Sequence, residues 1–67
     1  MVKSKTGREV CKGDWLYDTT GVYEVMDVDT GAGNLTSLKE IIFEDDRYTL
    51  GDERWLTRGE VAKMDVF

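Results

Sequence analysis

The sequence predicts a mainly β protein with a single small domain. Two runs of branched and aromatic residues, 15–17 and 22–28, flank turn-forming residues at 18–21, which is the pattern of a β-hairpin. A second pair of such runs flanks the acidic turn at residues 44–46. The 67 residues contain no proline and no internal repeat, so we expect one small hydrophobic core and no linker.

The amino-terminal part divides into an arm and the start of the folded domain. Residues 1–8 are predicted to be a flexible basic arm, because they mix Lys, Ser, Thr and Gly with only Val2 to bury. The folded domain is predicted to span residues 9–67, with a short first strand at 9–11. In the next strand, at 14–17, the period of two places Trp15 and Tyr17 on one face and Leu16 on the other.

The run 22–28 has apolar side chains on both faces. Tyr23 and Val25 share one face, whereas Val22, Met26 and Val28 share the other. A bulged or sharply bent strand would put both Val25 and Val28 inside, and we expect one here.

The central part of the chain leaves two interpretations open. Residues 29–34 form a predicted loop, rich in glycine and turn formers. In the stretch 35–43 that follows, some apolar residues have helical spacing, and Ser37 and Glu40 match a capping box. The β-branched and aromatic residues on both sides of the acidic turn favour a strand instead, paired with 47–50 in a second hairpin.

The carboxy-terminal part is predicted to hold a turn, a short helix and a last strand. Residues 51–54 read as a turn, and Trp55 after it reads as a large core anchor. Thr57 and Glu60 have capping-box spacing and predict one or two helical turns over 58–64. Residues 65–67 can then close the sheet.

One pattern resembles a known group of folds. It consists of Lys12, Gly13, Asp14, Leu16, Tyr17, Gly21, Val25 and Val28. This pattern is similar to the opening hairpin of SH3-like small barrels, including the KOW and Tudor groups. The resemblance implies a small five-stranded barrel with a short helical turn near the C-terminus, and binding of proteins, peptides or nucleic acids without catalysis. The chain is also similar to small acidic barrels encoded by phages and mobile elements.

Charge is unevenly distributed along the chain. Residues 13–53 contain eleven acidic side chains against Lys39 and Arg47, whereas both ends carry a basic excess. The acidic middle departs from the KOW pattern and repels phosphate backbones, so it disfavours nucleic-acid binding except through the ends. The sequence also lacks the signature for proline-rich ligands and any apolar run long enough to span a bilayer. We expect a cytoplasmic protein without a membrane segment.

Catalytic and metal-binding motifs are not indicated. The chain has no histidine, and its single thiol, Cys11, has no evident base beside it. Asp27, Asp29 and Gly31 match the start of a calcium loop, but Leu38 stands where the bidentate Glu is needed. We therefore expect no enzyme activity, no cofactor and no metal site.

What remains is recognition by aromatic and acidic side chains. The chain has more large rings than so small a core can bury, and such rings often anchor interfaces. The predicted partner-binding residues are Trp15, Tyr17, Tyr23, Asp27, Asp29, Glu44, Asp45 and Asp46. Three functions stay open: a binding or adaptor module for a protein partner, which we favour; an acidic inhibitor that imitates nucleic acid; and a nucleic-acid-binding barrel. A core role for most of the rings, with solubilising acids, is the structural alternative.

Overall fold

The computed structural model describes residues 1–31 and 33–67, and it contains one five-stranded antiparallel sheet with a short helix. The elements are β1 (Trp15–Asp18), β2 (Gly21–Thr30), β3 (Leu35–Glu44), β4 (Arg47–Leu56), α1 (Arg58–Val61) and β5 (Asp65–Val66). The strand order is β4-β3-β2-β1-β5. The prediction of a mainly β fold is confirmed. The sheet has β4 and β5 as its edges and is not closed into a barrel.

The main core lies on one face of this sheet. Leu16, Val25 and Leu38, from three adjacent strands, have no exposed surface. Val61 and Met64, from α1 and the turn after it, complete the same cluster. We call this side of the sheet the inner face and the opposite side the outer face.

The expected bulge in β2 is confirmed. Val25 pairs with Leu38 and Asp27 pairs with Ser37, so β2 has one residue more than β3 at this point. A second register shift follows between Asp27 and Thr30. Because a bulge reverses the alternation of side chains, Val28 packs against the main core together with Val25.

Residues 35–43 form a strand, as favoured, and pair with β4 across a two-residue turn. The prediction of a turn at residues 51–54 is wrong, because β4 continues through them to Leu56. Lys39 pairs with Glu53 and Ile41 pairs with Leu50, so β4 has an extra residue beside Gly51. Glycine is common at such bulges, where side chains crowd: a Cβ on Gly51 would lie 3.0 Å from a terminal methyl of Ile42.

The amino-terminal residues differ from the expected solvated arm. Val2 is 1% exposed and belongs to the main core, and Ser4 is 4% exposed. The backbone N–H of Val10 donates to the carbonyl of Val2 at 2.9 Å, and that of Lys5 donates to the carbonyl of Met64 at 2.8 Å. These bonds hold the segment against the end of the sheet, because a single buried valine and a few backbone partners outweigh its polar composition.

The carboxy-terminal elements follow the sequence expectations. Thr57 caps α1, and both hydrogen bonds of the predicted capping box with Glu60 are present. The short helix buries Val61, and β5 then pairs antiparallel with β1. No helix in residues 1–31 and 33–67 has the length and apolarity needed to cross a membrane.

Candidate functional site

Five aromatic side chains come together on the outer face. We call them the ring cluster: Trp15 and Tyr17 of β1, Phe43 of β3, Tyr48 of β4, and Phe67 after β5. The centroid of the Trp15 ring lies 5.1 Å from that of Tyr48 and 6.1 Å from those of both Phe43 and Phe67. Tyr17 meets Phe67 edge-on at 5.8 Å. Such edge-to-face geometry is favourable, by about 0.5–1.5 kcal/mol per pair beyond area burial.

The ring cluster depends on a bend of the β3–β4 hairpin. In a flat sheet β1 and β4 would be about 14 Å apart, three interstrand spacings. Phe43 and Tyr48 nevertheless touch Trp15. The far half of the hairpin therefore folds toward β1 over the outer face. The bend begins near the Gly51 bulge, and bulges are known to bend and twist the strand that carries them.

The ring cluster is mostly exposed although its members touch. The exposed fractions are 41% for Tyr17, 58% for Phe43, 46% for Tyr48 and 71% for Phe67. Beneath it, Ile41 is only 5% exposed yet is not part of the main core cluster. The outer face thus has a small apolar layer of its own, and its rings present apolar surface to the surroundings.

Acidic side chains border the ring cluster. The indole Nε1 of Trp15 donates a hydrogen bond to Glu24 Oε1 at 3.2 Å. Asp65 pairs with Tyr17 across β1 and β5, and its Oδ1 is buried without a hydrogen-bond partner. The exposed residues 44–46 connect Phe43 to the strand that carries Tyr48. Acidic side chains therefore lie beside the rings of β1 and at the tip of the hairpin that carries Phe43 and Tyr48.

Two of the predicted aromatic residues belong to this surface and one does not. Trp15 and Tyr17 lie in the ring cluster, as described. Tyr23 is 4% exposed and belongs to the main core, so it is unavailable to a partner. Its hydroxyl accepts a hydrogen bond from Arg54 at 3.0 Å and is 2.7 Å from that of Thr20. Arg54 also covers the Tyr23 ring, with its guanidinium carbon 5.2 Å from the ring centroid.

The Tyr23 hydroxyl is part of a short polar chain on the inner face. The Thr20 hydroxyl donates to Asp18 Oδ1, and this hydrogen bond is the main reason why the pKa of Asp18 is lowered. The pairing of Tyr23 with Thr20 and Arg54 satisfies its polar atom at the edge of the core, which is the usual requirement for a buried tyrosine.

The predicted acidic residues divide into free and paired groups. Asp27 is exposed on the outer face, and Glu44, Asp45 and Asp46 are exposed at the hairpin tip as expected. Asp45 has a φ of 53°, which Asp tolerates better than most residues do.

Asp29 was predicted to bind a partner, but its side chain is bound within the fold. Both of its carboxylate oxygens accept hydrogen bonds from Arg58, at 3.0 and 2.9 Å, and its side chain is 27% exposed. These hydrogen bonds lower the pKa of Asp29 and raise that of Arg58. The ion pair links the second bulge of β2 to the start of α1. Because Arg58 already engages both carboxylate oxygens, Asp29 has little remaining capacity to bind a partner.

The sequence did not identify every residue of the surface. Phe43, Tyr48 and Phe67 are members of the ring cluster that were not among the predicted partner-binding residues. Phe43 and Ile41 are two residues apart and therefore share one face of β3. This spacing was the available signal that Phe43 belongs to an apolar face. Trp55 was expected to be a core anchor, but its side chain is 52% exposed on the outer face. Its pairing with Ser37 explains this, because Ser37 faces away from the core side chain of Leu38.

Two open cavities lie away from the rings of Phe43 and Tyr48. One has a volume of about 470 Å³ and is lined by Lys5, Tyr17, Asp18, Thr19, Lys63 and Asp65. The other, of about 200 Å³, shares Asp18 and Lys63. Four of the six residues that line each cavity are charged, whereas small-molecule sites are usually lined mainly by apolar side chains. Within the described ranges, 1–31 and 33–67, no three His, Cys, Asp or Glu residues are grouped as metal ligands.

No protein-family model, curated protein or solved structure matches this chain.

Proposed function

We propose that the protein is a non-catalytic binding module that docks on a protein partner through the ring cluster and the acids around it. The observation that carries the proposal is the exposure of contacting rings: Phe43 is 58% exposed and Phe67 is 71% exposed. Aromatic side chains that are grouped and exposed are the residue types that anchor protein interfaces.

The chemistry of this surface favours a protein over a nucleic acid. Stacking rings would suit single strands, but Glu24 and the acids at 44–46 would lie beside the phosphates and repel them. The exposed rings also lie on one open face of the sheet and not in an enclosed cavity, which suits a macromolecular partner better than a small molecule.

The resemblance to SH3-like small barrels is part of this proposal. It is supported by the number of strands, their antiparallel order and the short helix before β5. A cytoplasmic location and an origin in phages or mobile elements are further parts of the proposal that rest on the sequence alone.

The proposal is tested by capture of partners with matched variants. Phe43→Thr removes a ring of the cluster, whereas Ile42→Thr changes the adjacent residue, which is 41% exposed on the opposite face of the same hairpin. Both variants are first checked for an unchanged melt. A tagged copy is then used to recover proteins from an extract of the native host, and recovery is quantified by mass spectrometry. A specific partner should be retained by Ile42→Thr and lost by Phe43→Thr.

The same experiment distinguishes binding through the rings from the hypothesis of an acidic inhibitor that imitates nucleic acid. The triple variant Glu44→Gln, Asp45→Asn, Asp46→Asn removes charge and keeps the rings. If recovery falls with this variant and is unaffected by Phe43→Thr, the partner recognises charge, and imitation of nucleic acid becomes the better account.

A further inference from the structure

We infer that the outer face binds a segment of the partner that carries both basic and apolar side chains and crosses the strands from the ring cluster to Trp55. This inference rests on the proposed function and specifies the chemistry of its partner. Three features carry it: a second exposed aromatic anchor, unpaired acids between the two anchors, and the net charge of the chain.

Trp55 is the second anchor. It pairs with Ser37, which in turn pairs with Asp27, so its side chain lies on the same face as the row formed by Glu53, Lys39, Glu24 and Trp15. At 52% exposure its indole offers a broad apolar surface outside the ring cluster. Three interstrand spacings of a flat sheet, from β1 to β4, are about 14 Å, a length covered by roughly four extended residues or ten helical ones.

Acidic side chains lie between the two anchors. Glu24, Asp27 and Glu53 face outward there, against the single cation Lys39. The one ion pair found within residues 1–31 and 33–67 joins Arg58 to Asp29, so among these residues the three carboxylates have no ion-pair partner. Glu24 and Glu53 accept hydrogen bonds only from neutral groups, the Trp15 indole and the Ser37 hydroxyl. Apolar anchors separated by unpaired carboxylates complement a segment in which apolar and cationic side chains are interspersed.

Trp15 and Glu24 form the place best suited to a cation. The Glu24 carboxylate is held beside the indole by the hydrogen bond from Trp15 Nε1. A guanidinium or ammonium group over the indole would meet both the negative face of the ring and a nearby carboxylate. The two attractions act on the same group, so we expect this subsite to prefer Arg or Lys over neutral side chains.

The charge of the chain disfavours a second copy as the natural occupant. The chain has a net charge of -5, and the acids lie on the surface that the two copies would share. Apposing two such faces would bring like charges together, which is unfavourable at an interface. A basic segment of another protein removes this repulsion.

The test uses three synthetic peptides of about twelve residues and the intact protein. One peptide alternates Arg and Leu, one alternates Arg and Ser, and one alternates Glu and Leu. Binding is measured by titration calorimetry at low and moderate salt. We expect the Arg-Leu peptide to bind at least about tenfold more tightly than the other two, because only it supplies both the charge and the apolar contacts.

Variants then locate the binding. Trp55→Ser should weaken the Arg-Leu peptide about tenfold and Glu24→Gln about threefold, whereas Lys39→Gln should tighten it, because a competing cation is removed. Ile42→Thr on the opposite face is the matched control and should leave binding unchanged. Circular dichroism and the melting temperature check that each variant is folded.

Different results would contradict the two-anchor inference and the proposed function. No binding of the Arg-Leu peptide up to about 1 mM, or equal binding of the Arg-Ser or the Glu-Leu peptide, overturns the inference. Self-association of the protein that competes with the peptide would make a second copy the occupant and would also overturn it. If Trp55→Ser and Glu24→Gln bind as the parent does while Phe43→Thr loses binding, the proposed function stands and the two-anchor inference fails. If Phe43→Thr binds normally too, both fail.

Discussion

The Trp15 ring lies 5.1 Å from the Tyr48 ring, at an angle of 80°, although β1 and β4 are separated in the sheet by two other strands. This contact is possible because the β3–β4 hairpin bends over the outer face toward β1. It also explains why the outer face has an apolar layer that is separate from the main core. The candidate surface therefore depends on tertiary structure and not on one continuous stretch of sequence.

Coupling between Trp15 and Tyr48 should be measurable. In a double-mutant cycle with Trp15→Leu and Tyr48→Leu, we expect a coupling free energy of about 0.5–1.5 kcal/mol in urea unfolding. Each single variant already loses the contact between the two rings, so the double variant should lose less stability than the sum of the two single losses. Trp55→Leu with Tyr48→Leu is the control pair and should be additive. Additivity of both pairs would mean that the hairpin bend does not depend on the rings.

The amino-terminal segment should contribute to stability. Val2→Ala should cost about 2 kcal/mol, because it removes two buried methyl groups and leaves a cavity in the main core. The melting temperature in thermal denaturation should fall by roughly 10 °C in a domain of this size. Ser4→Ala, which removes one local hydroxyl contact with Thr6, serves as a comparison. A Val2→Ala variant that melts with the parent would show that residues 1–8 are a solvated arm after all.

Replacing one buried hydroxyl should stabilise the protein. Thr36 has no exposed surface, and its Oγ1 has no hydrogen-bond partner among residues 1–31 and 33–67. Thr36→Val keeps the shape, removes the unpaired polar atom and retains a β-branched side chain in β3. We expect a gain of about 1 kcal/mol in the free energy of unfolding measured with urea. A loss of stability would indicate that this hydroxyl has a partner in solution.

Acid should destabilise the fold through three carboxylates. The pKa of Asp29 is lowered by hydrogen bonds from Arg58, that of Glu60 by the backbone N–H of Thr57, and that of Asp18 by the Thr20 hydroxyl. Because these groups bind protons more weakly in the folded state, their stabilisation is complete above the unfolded pKa of about 4 and is lost as the pH falls through the folded values.

The melting temperature should therefore be nearly constant above about pH 5 and fall below about pH 4. The double variant Asp29→Asn, Glu60→Gln should melt lower at neutral pH and show a shallower decline in acid. An equally steep decline in this variant would assign the acid sensitivity to other carboxylates.

The elements of the fold could be predicted where local patterns decide them. Alternation and turn chemistry gave both hairpins, and the capping box gave the start of α1. Apolar side chains on both faces of residues 22–28 indicated the bulge that brings Val28 to the core. These features depend on neighbours in sequence, which a single chain displays directly.

The rest depends on contacts between distant residues. Gly51 and Asp52 are as suitable for a bulge as for a turn, so local chemistry could not exclude the turn that was expected there. The exposure of Trp55 follows from its register with Ser37, and the position of Phe67 follows from the pairing of β5 with β1. The burial of Val2 also depends on a long-range contact. The polar composition of residues 1–8 indicated a solvated arm, so the sequence did not reveal this burial.

The role of the ring cluster as a binding surface is tested by comparing two adjacent residues on opposite faces of the hairpin, Phe43 and Ile42. For the partner recovered with the parent protein, the dissociation constant is determined by titration calorimetry for the parent, Phe43→Thr and Ile42→Thr. We expect Phe43→Thr to weaken binding at least about tenfold and Ile42→Thr to change it less than about twofold. Equal affinities for the parent and Phe43→Thr would contradict the claim and leave the ring cluster as a second small core.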